Sequence, residues 1–410
     1  MRTRSSHIVI GRPLQALSLL AAGALLTGCA AAGTAGSDKA AAGDTSPVKV
    51  GLVYSRSGPL AAYGKQYMEG FTAGLAYATK GTGKVAGHPV EVTEQDDTGD
   101  PAKAVAAAKD LAGKGYRILA GSTDSGVALQ VAPLAAQNRL LFISGAAATD
   151  ALTAVNKYTF RSGRQSYQDI LTAGTMLVNG RDKKVTVLAQ NSAFGQANVA
   201  AVKSVLEVQG AVVSSVLAPP SATDLTPFAQ QVKSGSPDLV FVAWAGATAP
   251  ALWTALDQQG VLDSTKVVTG LAGTASYPIF GPAAAKISFL AHYFPGAAGD
   301  NPVEKAMLDG VTKAGGTPDL FSPDGFTAAQ MIVHAIEAGS PTDTAAMVKA
   351  LEDWRFNGPK GDEQIRAEDH ALLQPMFTAR LTGEGAAAKP ELIHALPMSA
   401  AAPPQKSIAG

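Results

Sequence analysis

Residues 184–217, KVTVLAQNSAFGQANVAAVKSVLEVQGAVVSSVL, contain the pattern that decides the fold. Two runs rich in β-branched residues, 184–189 and 211–217, predict strands. The longer segment between them, residues 194–209, predicts a helix. A helix that connects two strands of this length is typical of a βαβ unit with parallel strands. The stretch therefore predicts an α/β fold.

The same alternation continues on both sides of this unit. Before it, strands are predicted at residues 48–54, 89–93, 116–120 and 140–144, with helices at 64–80, from Asp100 onward and at 125–138. After it, strands are predicted at residues 238–243 and 266–269, with helices at 225–234 and 249–259. Two successive βαβ runs predict two doubly wound parallel sheets, joined near residues 160–164. Ligands of such sheets bind at the carboxyl ends of the strands, so two facing sheets predict a shared cleft.

Composition narrows the possible classes of protein. The chain has 410 residues, of which 46% are hydrophobic and 16% charged, and this fits two domains with large cores. Its 33 basic residues balance its 33 acidic ones, so the basic excess of a nucleic-acid-binding protein is missing. A single Cys excludes a disulfide framework and a cysteine-based metal cluster. These numbers favour a globular protein with a small-molecule or protein partner.

The motifs of catalysis are missing from the sequence. No Gly-Lys pair is followed by Ser or Thr, no GxGxxG follows a predicted strand, and there is no GxSxG. The six His residues lack the spacing of a metal site. We therefore predict no enzyme activity, no metal and no cofactor. The acidic run at residues 94–97 (EQDD) is either a cation site or a solvated loop, and a solvated loop is the favoured interpretation.

The N-terminus predicts the compartment. Residues 1–28 resemble a bacterial lipoprotein signal peptide, with three Arg in the first 12 residues and an apolar run at 14–26. That run is too short to span a bilayer. It leads into Leu-Thr-Gly-Cys, which places Cys29 where the lipid would be attached. We expect the protein on the extracytoplasmic face of the bacterial cell membrane, lipid-anchored at Cys29; an ordinary secretory signal is the alternative.

Two further segments lack the side chains needed for a core. Residues 29–46 consist mainly of Ala, Gly, Ser and Thr and predict a flexible tether. Residues 399–410 predict a disordered tail.

Five stretches of the sequence carry a resemblance to a known family. They are residues 51–64 (GLVYSRSGPLAAYG), 96–115 (DDTGDPAKAVAAAKDLAGKG), 121–153 (GSTDSGVALQVAPLAAQNRLLFISGAAATDALT), 158–169 (YTFRSGRQSYQD) and 356–376 (FNGPKGDEQIRAEDHALLQPM). In this order they resemble the periplasmic binding protein type I family, in the branch that includes the leucine/isoleucine/valine-binding protein. The resemblance covers nearly the whole chain after the tether.

The resemblance implies two lobes that are connected by a three-crossing hinge and close on a ligand. The crossings would lie near residues 161–164, 291–294 and 358–362, with lobe one at 47–163 plus 294–361 and lobe two at 164–293 plus 362–398. It further implies a monomeric solute-binding protein that delivers an amino acid or a related small polar molecule to the permease of an ABC importer. An extracellular sensor of the same fold, acting on a membrane signalling protein, is the alternative.

Carried over position by position, the resemblance implies a ligand site on loops of both lobes. Its expected members are Ser57, Gly58, Tyr63, Asp124, Ser125, Ala146, Ala148 and Phe194. Trp244 is added because it follows a predicted strand end, although a structural role is the alternative there. Tyr63 would form an aromatic wall of the site. A structural role is an equal alternative for two of these residues: Asp124 could be a helix cap, and Phe194 could be a core residue.

Two departures from the branched-chain binders bear on the ligand. Residues 270–274 (GLAGT) contain no acid where those binders place one for the ligand ammonium. Asp124 stands where a Ser often meets the ligand carboxylate. These departures disfavour a leucine-like pose, and they favour a neutral polar ligand or one with a hydrogen-bond donor facing Asp124.

Overall fold

Two large β-sheets organise the computed structural model, which describes residues 45–176, 180–383 and 385–408. The strands of the first sheet are β1 (Val48–Tyr54), β2 (Lys84–Val85), β3 (His88–Asp96), β4 (Ile118–Gly121), β5 (Leu141–Ser144) and β6 (Thr159–Arg161). They lie in the order β2-β3-β1-β4-β5-β6, with all neighbours parallel except the β2–β3 pair.

The second sheet is built mainly from the middle of the chain. Its strands are β7 (Lys184–Gln190), β8 (Val212–Ala218), β9 (Leu239–Ala243), β10 (Lys266–Gly270) and β11 (Ile287–Ala291). Three short strands then form a small separate antiparallel sheet: β12 (Arg355–Gly358), β13 (Gly361–Ile365) and β14 (Leu372–Leu373). The chain finally adds β15 (Met376–Thr382) and β16 (Lys389–Leu396) to the second sheet. The strand order of this sheet is β16-β15-β11-β10-β9-β7-β8. Strand β15 runs antiparallel to both of its neighbours, β11 and β16.

Helices connect and cover the strands. They are α1 (Ala61–Ala78), α2 (Pro101–Gly113), α3 (Ser125–Asn138), α4 (Ser166–Gly174), α5 (Ala193–Val202), α6 (Thr226–Ser234), α7 (Ala249–Gln258), α8 (Val261–Ser264), α9 (Tyr277–Phe280), α10 (Pro302–Lys313), α11 (Ser322–His334) and α12 (Thr344–Leu351). The predicted two-lobe α/β fold, with two mainly parallel sheets, is confirmed. The helix predicted over residues 194–209 is divided, because a π-helical turn at Lys203–Glu207 follows α5.

Capping residues set where helices begin beside the strand ends. Asp100 accepts a hydrogen bond from the Ala102 N–H at 2.8 Å, with Pro at the first helical position of α2. Ser192 accepts one from the Gly195 N–H at 3.2 Å and starts α5. Side-chain acceptors at these positions satisfy N–H groups that the helix cannot pair itself.

Helices α1 and α11 pack backbone to backbone in the lobe of the first sheet. A Cβ atom at Gly70 would lie 1.8 Å from the Ser322 carbonyl oxygen, and one at Gly325 would lie 1.9 Å from the Tyr67 carbonyl oxygen. Only glycine permits such an approach. Apolar residues of α11 share a core with β1, β4 and β5, so this lobe joins chain segments that are far apart in sequence.

The core contacts of the last strands bear on where the third crossing lies. Ile365 and Leu372 belong to the core of the first sheet, together with Leu52 and Ile143. The next strand, β15, belongs to the second sheet. We therefore propose that lobe one continues through β14 and that the chain crosses between β14 and β15, rather than near residues 358–362.

The C-terminal segment differs from the expected disordered tail. The Lys406 N–H donates to Asp369 at 3.0 Å, and the Arg366 guanidinium donates to the Pro403 carbonyl at 2.9 Å. Ala401 is fully buried. Because these contacts satisfy both backbone and side-chain groups, the segment through Lys406 is held against the protein.

The predicted signal peptide and Cys29 lie outside the described residues. Within residues 45–176, 180–383 and 385–408, no helix is long and apolar enough to cross a membrane.

Candidate functional site

A cavity of about 600 Å³ lies at the carboxyl ends of the strands of both sheets. From the first lobe it is lined by residues that follow β4 and β5, and by the start of α1. From the second it is lined by residues that follow β7, β9 and β10. This is the position at which open α/β sheets bind ligands, and its volume suits a small molecule.

Seven of the nine residues expected to bind ligand line this cavity. They are Tyr63, Asp124, Ser125, Ala146, Ala148, Phe194 and Trp244. The structure therefore gathers them from three loops of the first lobe and two of the second.

Ser57 and Gly58 do not line the cavity. The Ser57 hydroxyl donates to Asp96 at 2.7 Å, and its N–H donates to the same carboxylate at 3.1 Å. Gly58 has a φ of 86°, and a Cβ atom there would lie 2.3 Å from the Thr98 carbonyl oxygen. Both residues therefore shape the loop between β1 and α1. Asp96, from the acidic run at residues 94–97, holds this loop by accepting the hydrogen bonds of Ser57.

Asp124 has the capping geometry expected of its structural role. Its Oδ1 accepts from the N–H groups of Gly126 at 2.7 Å and Val127 at 3.1 Å, at the start of α3. The residue also lines the cavity, so capping and a ligand contact are compatible.

The loop after β5 directs its carbonyl groups into the first crossing. Arg161 donates to the Ala147 carbonyl at 2.6 Å, and Arg164 donates to the Ala146 carbonyl at 3.0 Å. Because a peptide is planar with its C=O and N–H opposed, the N–H of Ala148 points away from Arg161. Nearby, the Ser125 hydroxyl accepts from the Thr149 N–H at 3.3 Å, which leaves its proton to be donated.

The sequence analysis missed the charged residues at the base of the cavity. Arg164 lines it, lies 3.3 Å from Asp169, and stands over the Phe321 ring at 5.7 Å. Burial raises the pKa of Asp169 to about 6, although Arg164 acts in the opposite direction. Since Arg164 lies at the edge of the predicted crossing, its position was the signal that could have identified it.

His292 is a second missed residue and lies in the second predicted crossing. It is 4% exposed, lines the cavity, and packs against the Phe321 ring at a centroid distance of 4.9 Å. Burial lowers its pKa well below the ordinary value, and the charges of Arg164 and Lys360 lower it further. The imidazole is therefore neutral at physiological pH.

Aromatic side chains form much of the remaining wall. Phe194, Trp244, Trp253 and Phe280 come from the second lobe, and Tyr63 and Phe321 come from the first. The Trp244 indole N–H donates to the Thr248 hydroxyl at 3.0 Å, which fixes the ring beside the cavity. Such a wall favours a ligand with an apolar or aromatic body.

Two contacts join the lobes beside the cavity. Pro59 and Tyr63, at the start of α1, meet the loop after β9: a Cβ atom at Gly246 would lie 3.2 Å from the Pro59 carbonyl oxygen, and Tyr63 forms a hydrogen bond with the Gly246 backbone. In the second contact, Asp319 accepts from the Thr274 N–H at 2.9 Å and from its hydroxyl at 3.1 Å. We call this second contact the clasp. Both show a closed arrangement.

No group of His, Cys, Asp and Glu residues suited to a metal ion occurs in the described part of the chain. Two facing lobes that enclose a small cavity, with polar groups at its base and aromatic walls, define a ligand-binding protein.

The particular family follows from comparison with known proteins. The family model described as "Periplasmic binding protein" matches residues 47–387. The chain belongs to this family, so it is a binding protein and not an enzyme, and the resemblance found in its sequence is confirmed.

Named relatives and solved structures agree with this assignment. The chain is 28% identical over 333 residues to Leu/Ile/Val-binding protein homolog 3 of Brucella melitensis, covering 80% of this chain and 89% of that protein. A structure of an ABC-type branched-chain amino acid transporter from Rhodopseudomonas palustris is 30% identical, with a TM-score of 0.70 over 88% of this chain and 99% of that one. A solute-binding protein of an ABC transporter from the same species, in complex with p-hydroxybenzoic acid, is 26% identical, with a TM-score of 0.79 over 86% and 97%.

Proposed function

We propose that this protein is the lipid-anchored, extracytoplasmic solute-binding component of an ABC importer and that it binds a small organic acid. The observation that carries the proposal is the cavity of about 600 Å³, which is lined by loops from both sheets. A ligand that contacts both lobes stabilises the closed arrangement, because the open arrangement lacks some of those contacts. A closed form that depends on ligand is what an importer can recognise.

The groups on the first lobe suit a ligand carboxylate. The Ala148 N–H points away from Arg161, and the Ser125 hydroxyl has a proton to donate at the N-terminus of α3. Helix N-termini favour anions, but the Gly126 and Val127 N–H groups already donate to Asp124, so a ligand would use the Ser125 hydroxyl and the Ala148 N–H. We propose that these two groups receive the carboxylate.

The proposal also concerns the part of the ligand beyond its carboxylate. Two relatives are named as a Leu/Ile/Val-binding protein homolog and as a branched-chain amino acid transporter, and a third is in complex with p-hydroxybenzoic acid. Residues 270–274 contain no acid, and Thr274 is occupied in the clasp with Asp319. Since this loop offers no partner for an ammonium group while aromatic rings line the cavity, we propose an aromatic carboxylate in preference to an amino acid.

Isothermal titration calorimetry with leucine and with 4-hydroxybenzoate tests the ligand class. We expect saturable binding of 4-hydroxybenzoate to the purified protein, with weaker binding of leucine. Each bound ligand should also raise the melting temperature, since it stabilises the folded form by mass action. Failure of both compounds, and of a wider set of small carboxylates, would contradict the proposed function.

The anchor has its own test. If Cys29 carries the lipid, Cys29→Ser should release the folded protein into the medium with ligand affinity unchanged. Cys29 is the only Cys of the chain, so metabolic labelling with a fatty acid should also be lost. A Cys29→Ser protein that stays in the membrane fraction would refute the anchor without affecting the binding proposal.

A further inference from the structure

Three residues that line the cavity, Arg164, Asp169 and His292, each have a buried side-chain atom without a hydrogen-bond partner among the described residues. The Nε2 atom of His292 is buried and has no hydrogen-bond partner among the described residues. The side chain that carries it is 4% exposed and lines the cavity. Buried polar atoms in folded proteins are nearly always paired, so an unpaired one beside a cavity indicates where a ligand group belongs.

The surroundings of His292 show which kind of group would pair with it. A hydrogen bond with the Leu320 backbone raises the pKa of the ring, against the larger effect of burial. Because the partner is a backbone group that favours the protonated ring, it is a carbonyl that accepts from a ring N–H. Since Nε2 is unpaired, that N–H is at Nδ1, and the neutral ring presents Nε2 as an acceptor.

The position of the ring is fixed on two sides. Phe321 packs against it at 4.9 Å, with the ring planes inclined at 41°, and Leu320 holds Nδ1. The acceptor atom is therefore held in place before a ligand arrives. A preorganised acceptor of this kind discriminates between ligands that have a donor and ligands that lack one.

Charge decides between neutral and cationic donors. Arg164 and Lys360 both act to lower the pKa of His292, and so they oppose a positive charge at the ring. The same positive potential opposes a ligand ammonium at Nε2. Asp169 offsets this potential only in part, because its Oδ2 is ion-paired with Arg164 at 3.3 Å, whereas its Oδ1 has no hydrogen-bond partner among the described residues. A neutral O–H donor meets no such penalty.

We propose that His292 is a specificity-determining residue, whose Nε2 accepts a hydrogen bond from a hydroxyl group of the ligand. The ligand class that fits is a hydroxylated aromatic carboxylate, with its ring among the aromatic side chains and its hydroxyl at His292. This inference rests on the proposed function, because it assumes that the cavity holds a small organic acid.

Calorimetry with 4-hydroxybenzoate and benzoate, which differ only in the hydroxyl, tests the inference. The wild-type protein should bind 4-hydroxybenzoate about 10- to 100-fold more tightly, as expected when a buried acceptor is left unsatisfied. His292→Phe keeps a planar ring but removes the acceptor, so the preference should fall below about threefold. His292→Gln, whose side-chain oxygen can accept, should keep part of it. Melting temperatures within a few degrees of wild type show that the variants fold.

The outcomes separate this inference from the proposed function. Equal wild-type affinities for the two benzoates, or a preference that persists in His292→Phe, would overturn the role of His292 while leaving a binding protein for organic acids. Binding of leucine alone would also overturn it. Failure of every small carboxylate would overturn the proposed function as well.

Discussion

Removing one hydrogen bond of the clasp should weaken ligand binding without a ligand contact being lost. The substitution Thr274→Val replaces the hydroxyl, which donates to Asp319 at 3.1 Å, with a methyl group of the same shape. The Thr274 N–H still donates to the carboxylate at 2.9 Å, and Leu320 still donates to its other oxygen at 2.8 Å. No buried acceptor is therefore left unsatisfied.

The size of the effect follows from this geometry. A hydrogen bond to a charged group contributes about 1.5–3 kcal/mol, and the remaining bonds of Asp319 place the loss at about 1–2 kcal/mol. Thr274 follows β10 of the second sheet, whereas Asp319 precedes α11, which packs on the first. The bond therefore exists only when the lobes are closed. If the free protein is mostly open, apparent affinity for 4-hydroxybenzoate should fall about 5- to 30-fold.

Calorimetry measures the affinity, and small-angle X-ray scattering of the ligand-free protein measures the opening. Thr186→Val is the matched control, because the Thr186 hydroxyl bonds to the Ser214 hydroxyl at 3.0 Å within the second sheet. The control should lower the melting temperature but leave affinity and radius of gyration unchanged. If Thr274→Val binds as tightly as the control, the clasp does not influence closure and the reasoning is refuted.

Three further predictions concern single side chains. Tyr63→Ala and Phe194→Ala should each weaken binding by about 1–3 kcal/mol in calorimetry, the range for losing a buried side chain. A variant with a much lower melting temperature but unchanged affinity would instead assign that residue to the core. Asp124→Ser should be nearly silent in both melting and calorimetry if Asp124 only caps α3, since Ser also caps; a loss of about 1.5–3 kcal/mol in affinity would show a ligand contact. Glu363→Gln should flatten the pH dependence of the melting temperature: burial raises the pKa of Glu363 to about 7, so the folded protein binds a proton that the unfolded chain has lost, and stability from this group falls as pH rises from about 4.5 to 7. An unchanged pH profile in that variant would show that Glu363 does not titrate in this range.

Much of the fold could be predicted because each strand and helix is determined largely by residues that are neighbours in the sequence. The β-branched run at residues 184–189 predicts β7, which extends one residue further to Gln190, and the helix predicted over 125–138 coincides with α3. Hydrophobic periodicity and a capping Asp involve only a few neighbouring residues, so they can be recognised without knowledge of the tertiary structure.

The site was only partly predictable because its base is formed by the hinge crossings. Loop residues such as Asp124 and Phe194 follow from the rule that strand ends meet at a cleft. Arg164 and His292 lie in the predicted crossings, but whether they reach the cavity depends on how segments that are distant in sequence pass one another. Ser57 is predicted to bind ligand but does not line the cavity, because its hydroxyl donates to Asp96 instead.

The contact between α1 and α11 has a consequence for how the protein folds. The two helices are separated by more than 240 residues in the sequence, and their glycines leave no space for a side chain between them. The core of the first lobe therefore cannot be completed until the chain has emerged through α11. The strands β7 to β11 of the second lobe are contiguous, and local topology of this kind folds faster. In refolding followed by hydrogen exchange, amides of β7–β11 should gain protection before those of β1 and β4, although β1 and β4 come first in the chain.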